Sequence, residues 1–282
     1  MKLYALADLH LNHARNRATL EALPAHPDDW LILAGDLGEK TDHLHWCFRL
    51  LRDRWAQLIW VPGNHELWTP PSEGSDGLRG VERYQDFVSV CHSYGVLTPE
   101  DPYVPWPGDE SLRICPLFLL YDYSFAPEGM TPAEAVAWAA ESRIRAADEV
   151  YLHPDPYPTR QAWCEARVAT TAKRLEATPG RKVLINHWPL RRDLTRIPAV
   201  PRYVPWCGTR ATEDWHVRFD AEVVVTGHLH VRATDYRDGV RFEEVSLGYP
   251  RHWKEETGAS GYLRQILPSP PNPPTDGPFW HR

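Results

Sequence analysis

Short runs in which nearly every position is apolar recur along the chain, at residues 3–7, 31–34, 58–61, 183–185 and 223–225. Runs of this length without a polar alternation predict strands buried on both faces. Between them the apolar positions take helical spacing. Residues 16–23 predict a helix, residues 41–55 place Leu44, Phe48, Leu51 and Trp55 along one stripe, and residues 79–93 predict a third. Strands alternating with helices over short connections define an α/β protein whose sheets are covered by helices.

The pattern changes in the middle of the chain. Thr131-Pro132-Ala133-Glu134 is a helix start: Thr to cap, Pro in the first turn, Glu to reach back. That helix is expected to run towards residue 150. The stretch His153-Pro154-Asp155-Pro156-Tyr157-Pro158 breaks it, and Thr159 caps a second helix to about residue 177. Residues 121–178 thus predict a helical hairpin inserted between core strands, placed to act as a lid. Two further strands, 231–236 and 241–246, are joined at Asp238-Gly239, a hairpin signal. From residue 267 the chain carries six prolines in its last sixteen residues, which excludes helix or central strand. Phe279 and Trp280 are the residues there able to pin it. The expected organisation is one domain over 1–266, containing the 121–178 insertion, and a proline-rich tail over 267–282.

Composition narrows the function by exclusion. There are 38 acidic and 31 basic residues for a net charge of −7, so no basic field draws a nucleic-acid backbone. Five scattered cysteines without a C-x-x-C spacing argue against a disulfide framework and against a thiolate metal site. The sequence enters directly into its first strand, so no leader is expected, and no run reaches membrane-spanning length. A cytoplasmic protein with no membrane partner is the expectation.

The chemistry lies at the ends of the apolar runs. Asp8-Leu9-His10, Gly35-Asp36, Gly63-Asn64-His65-Glu66, Asn186-His187 and Gly227-His228-Leu229-His230 each close one. Open α/β sheets place their sites at the carboxyl ends of strands, so five clusters distant in sequence can meet on one edge. A lone Asp-x-His is weak, because turns and caps use the same residues. Five in order are not explained that way. Carboxylate, imidazole and one amide form a donor set suited to Mn, Fe, Zn or Ni and unlike a soft-metal site.

This series of motifs resembles the calcineurin-like metallophosphoesterase superfamily over residues 1–248. The resemblance implies two stacked mixed β-sheets flanked by helices and two divalent or trivalent metal ions (Mn, Fe or Zn). It implies one metal on Asp8, His10, Asp36 and His230, and a second on Asp36, Asn64, His187 and His228, with Asp36 bridging. Water between the metals would attack phosphorus, and His65 would serve the leaving oxygen. Glu66 would support the His65 loop. Further residues singled out for substrate are Arg191, Arg192, Arg202 and Arg210, since guanidinium matches phosphate oxygens, together with Asn12 and Tyr121.

Within the superfamily, Gly35-Asp36-Leu37-Gly38-Glu39-Lys40 lacks the Asp-Arg-Gly of the Ser/Thr protein phosphatases. Asp8-Leu9-His10 followed by Asn16-Arg17, then Trp206-Cys207-Gly208-Thr209 and Glu244-Val245-Ser246-Leu247-Gly248-Tyr249-Pro250, resemble a bacterial branch that includes phosphopantetheinyl hydrolases. The leading expectation is a phosphatase acting on the monoester of a small organic molecule or natural product. The alternative is a phosphodiesterase, acting on a cyclic nucleotide or on phosphopantetheine carried by a carrier protein.

Overall fold

Strand residues alternate between two burial environments, and this alternation builds the architecture. A computed structural model of the chain describes residues 1–70, 77–269 and 279–281. The elements run β1 (Leu3–Leu6), α1 (Ala14–Glu21), β2 (His26–Leu33), α2 (Thr41–Leu51), β3 (Trp55–Trp60), α3 (Asn64–Leu67), α4 (Gly80–Ser93), β4 (Val104–Trp106) and β5 (Asp109–Pro116). They continue with α5 (Pro132–Glu141), α6 (Asp148–Tyr151), α7 (Arg160–Glu176), β6 (Arg181–Ile185), α8 (Trp215–Arg218) and β7 (Ala221–Thr226). The chain closes with β8 (Ala233–Arg237), β9 (Val240–Glu244), α9 (Gly258–Tyr262), β10 (Arg264–Leu267) and β11 (Phe279–Trp280).

Two mixed sheets result, ordered β10-β1-β2-β3 and β11-β8-β9-β7-β6-β5-β4. On β1, β2 and β3, Leu3, Ala5, Ile32 and Ile59 point into a central layer shared with Ile114, Val183, Ile185, Val223 and Val225 of the second sheet. The intervening Leu6, Leu31, Leu33, Leu58 and Trp60 point the other way, into the core with Leu44 and Phe48 of α2 and Tyr84 and Phe87 of α4. Leu184 and Val224 likewise pack with Leu175 of α7 and Trp215 of α8. A two-residue period buried on both sides reads in the sequence as an unbroken apolar run. Strands β1, β2 and β3 are parallel, as are β5, β6, β7 and β9. At the carboxyl edge the sheets are stitched together: Ala7 N donates to Val245 O at 3.1 Å and Leu247 N to Ala7 O at 2.8 Å.

Several element ends differ from the sequence expectation. Helix α2 stops at Leu51, and Trp55 opens β3 in place of closing the helical stripe. Helix α5 begins as expected, with Thr131 N donating to Glu134 Oε2 at 2.8 Å, but it ends at Glu141 and not near residue 150. Arg143 takes a left-handed φ of 59°, and Ile144 N turns back to Ala139 O at 3.2 Å. A single helical turn, α6, then precedes the proline-rich break and α7. Asp238 and Gly239 both have positive φ (52° and 80°), as a type I′ hairpin turn requires. Residues 270–278 and Arg282 of the proline-rich tail lie outside the described residues. Phe279 and Trp280 form an edge strand, pairing antiparallel with Thr234 and Ala233.

Candidate metal centre

Each motif leaves its strand and turns sharply at the common edge. Asp8 and His10 follow β1, Asp36 follows β2, Asn64 and His65 follow β3, His187 follows β6, and His228 and His230 follow β7. Five of these turn through left-handed backbone: Asp8 (φ 54°), His10 (40°), Asp36 (55°), His228 (73°) and His230 (54°). Non-glycine residues rarely occupy that region, each at a cost of about 1–3 kcal/mol, and they gather where geometry serves a site. Two motif glycines are needed for space. A Cβ on Gly63 would collide with the Asp36 carboxylate, and one on Gly227 would lie 2.5 Å from Asp8 Oδ2.

The donor atoms form two adjoining groups. In one, His230 Nε2 is 2.9 Å from Asp8 Oδ1 and 3.1 Å from His10 Nε2. In the other, His228 Nδ1 is 3.1 Å from Asn64 Oδ1 and 3.2 Å from His187 Nε2, which lies 3.5 Å from Asp36 Oδ2. Asp36 sits between the groups, sharing one cluster with His10 and His65 and another with Asp8 and His187. With its Nδ1–H on Ala34 O, His187 turns a lone pair on Nε2 to the site, and the packing of ring nitrogens 3.1–3.2 Å apart beside carboxylate and amide oxygens is a donor set that a cation can share.

The electrostatics agree with that fit. Burial pushes the pKa of His10 and His228 well below the usual imidazole range and that of His187 down to about 4, so these rings are neutral, the form that ligates a metal. Burial would raise Asp8, but the surrounding histidines, His230 foremost, hold it well below the carboxylate range. Burial and then the charges of Asp8 and Glu66 push Asp36 far upward. Two carboxylates this close and this dry ionise together only against added positive charge. The residues present therefore fit a pair of metal ions.

Neighbouring groups hold the donors in orientation. His187 Nδ1 lies 2.9 Å from Ala34 O, which turns its Nε2 to the site, and His230 Nδ1 lies 3.1 Å from His252 Nδ1. Asn64 Nδ2 donates to Asp148 Oδ1 at 3.0 Å, leaving the amide oxygen for His228 and the centre. Glu66 accepts from the N–H groups of Asp36, Leu37 and Gly63 at 3.0, 2.7 and 2.9 Å; burial still pushes it up to about 7. It thus braces two motif loops, while the partner of His65 is Glu39, with Nδ1 and Oε1 3.3 Å apart. Tyr249 stacks on His10 at 4.3 Å. The sequence assigned no role to Asp148, Glu39, Tyr249 or His252, although Glu39 and Tyr249 stand in stretches quoted above.

A cleft of about 700 Å³ opens over these groups, with Asp36, Asn64, His65, His228 and His230 in its lining. The expected substrate contacts are not there. Arg191 donates to Asp193 and to Glu213 O, Arg192 to Phe125 O, Arg202 to Trp138 O and Glu141, and Arg210 to Ser124 O. Their guanidinium groups are used in tying loops together. Tyr121 is 0% exposed in the hydrophobic core, and Asn12 is exposed but outside the cleft lining. The cleft instead presents Arg143, Arg145 and Arg251, with Ile144, Ile197, Val200, Tyr203 and Tyr249 as its less polar wall.

Residues 1–232 match the calcineurin-like phosphoesterase family, and the chain belongs to that family. It is a metal-dependent phosphoric ester hydrolase of the dinuclear class. The chain is similar to the [acyl-carrier-protein] phosphodiesterase PptH of Mycobacterium tuberculosis, with 50% identity over 273 residues, 95% of this chain and 84% of that one. The crystal structure of phosphopantetheinyl hydrolase (PptH) from the same organism superposes with a TM-score of 0.90 at 48% identity, covering 97% of this chain and 98% of that one.

Proposed function

We propose that this protein is a phosphodiesterase that hydrolyses the phosphopantetheinyl ester of an acyl carrier protein. The carrying observation is the 50% identity, over nearly the whole chain, to a protein named for that activity. The diester alternative drawn from the sequence is thus better supported than a phosphomonoesterase for small organic phosphates, and the partner is a protein carrying the phosphate. The cleft supports the same reading. Its wall of Ile144, Ile197, Val200, Tyr203 and Tyr249 offers apolar contact to a long organic arm beside the donor cluster.

Asp8, His10, Asp36 and His230 would hold one metal ion, and Asp36, Asn64, His187 and His228 the other. Bound there, the pair supplies positive charge to the phosphoryl oxygens and a strong nucleophile at neutral pH. His65 lines the cleft, with Nδ1 beside Glu39 Oε1 and Nε2 3.8 Å from Asp36 Oδ2. From there it delivers a proton to the carrier-protein oxygen as the P–O bond breaks, leaving the phosphate on the released arm. The N/O donors accept Mn, Fe or Zn. The 121–178 segment, through Arg143, Ile144 and Arg145, selects the substrate from the cleft rim. All five cysteines are free and buried, which suits the reducing cytoplasm. No helix among the described residues is long and apolar enough to cross a membrane.

The test is metal-reconstituted hydrolysis of holo-acyl carrier protein beside bis-p-nitrophenyl phosphate and p-nitrophenyl phosphate, with His65→Ala as control. Release of phosphopantetheine, and diester turnover exceeding monoester turnover, are expected. Monoester preference with an intact holo-carrier protein would refute the proposal.

A further inference from the structure

We infer that Arg143, Arg145 and Arg251 form a docking collar at the cleft mouth for an acidic face of the carrier protein; this rests on the functional reading above. Among the residues lining the cleft these three supply the permanent positive charge, and the single carboxylate is Asp36, buried among the metal-site donors. The three arginines come from two distant segments. Arg143 and Arg145 sit on the break between α5 and α6, and Arg251 follows Tyr249, over whose ring its guanidinium lies at 4.9 Å. All three are exposed.

Their neighbours make the contrast. Arg191, Arg192, Arg202 and Arg210 have their donors occupied by carboxylates or backbone carbonyls, whereas no carboxylate of the described residues pairs with Arg143, Arg145 or Arg251. The chain as a whole is acidic at −7, so a positive rim is a local arrangement and not spill-over from a basic surface. Left-handed backbone at Arg143 ends α5 there and turns the chain towards the cleft, keeping Arg143 and Arg145 out of the helix. Exposed guanidinium groups at the mouth are poorly placed to grip an ester held by donors at the floor. They are well placed to attract and register an acidic protein surface while the arm passes inward.

The experiment compares kcat/KM for holo-acyl carrier protein with kcat/KM for bis-p-nitrophenyl phosphate in the wild type, in Arg143→Glu/Arg145→Glu and in Arg251→Glu. Circular dichroism and a thermal melt report whether each variant is folded, and the small diester reports the chemistry of a substrate with no carrier-protein surface. The ratio of the two values should fall about ten-fold or more in each variant, through KM, and added salt should lower the wild-type ratio more than the variants'. Arg143→Lys/Arg145→Lys and Arg251→Lys, which keep the charge, should keep most of the ratio. A loss of equal size on both substrates would assign the arginines to the phosphate itself and overturn the collar, as would an unchanged ratio. A wild type that cleaves the small diester but not the holo-carrier protein would defeat the functional reading, and the collar with it.

Discussion

Removing the Asp148 side chain tests whether a buried carboxylate outside the donor set controls half of the metal centre. Asp148 is 0% exposed, and its Oδ1 accepts from Asn64 Nδ2 at 3.0 Å and from Trp68 Nε1 at 2.7 Å. In Asp148→Ala the buried Asn64 amide is left without its acceptor, while the half-buried Trp68 indole loses its partner nearer to water. An unpaired buried donor costs about 1–3 kcal/mol, so the metal-free protein should lose about that much stability. The Asn64 amide also loses the contact that fixes which end faces His228. Loss of such an outer partner lowers metal affinity about 10–100-fold. Asp148→Asn keeps an oxygen at the accepting position and should keep metal affinity near that of the wild type. Chelator-competition titration of the metal, with denaturant melts of the metal-free proteins, reads both effects. Wild-type metal affinity in a folded Asp148→Ala protein would refute the reasoning, and so would an asparagine variant as weak as the alanine one.

Two further changes probe the site from other directions. The hydrogen bond from His65 is the main cause holding Glu39 below its ordinary carboxyl range, against partial burial. A depressed folded value adds stability that is complete above the unfolded value of about 4.5 and is lost as pH falls through the folded value. Glu39→Gln should therefore flatten the acid limb of stability below pH about 4.5 in denaturant melts, and superimposable limbs would contradict the pairing. In Gly227→Ala the new methyl lies 2.5 Å from Asp8 Oδ2 and 2.7 Å from Ala7 Cβ. Overpacking there should cost about 1–3 kcal/mol and displace the Asp8 carboxylate, so metal content by elemental analysis should drop. A full metal complement in that variant would show that the loop gives way more easily than the packing implies.

Much of the architecture was legible because it depends on local patterns. Runs such as 31–34 and 223–225 announce strands buried on both faces, and Thr131 with Glu134 announces a cap whose hydrogen bonds the structure contains. Element ends were less legible. Trp55 fits the stripe of α2, yet it belongs to β3, where pairing with β2 outweighs helical spacing. The stop at Glu141 depends on a left-handed arginine, which no propensity rule places there. Strands β4, β10 and β11 lie at sheet edges and bury too little to leave a clear period.

The same division runs through the site. The sequence by itself determined the kinds of donor and their position at strand ends, because strands side by side in parallel bring distant carboxyl ends to one edge. It also singled out Asp8, His10, Asp36, Asn64, His65, His187, His228 and His230 as one constellation, and the tertiary structure brings them together. Tertiary structure alone decided what surrounds them. Asp148 reaches Asn64 across 84 residues and Glu39 reaches His65 across 26, contacts set by how loops cross. Arginine is the sharpest case. Arg191 and Arg192 lie next to a motif in sequence yet spend their donors on loops, while Arg143 and Arg251, far from each other in the chain, meet at the cleft. A guanidinium group is long and flexible enough to serve either purpose, so its role depends on which acceptors the fold brings within reach.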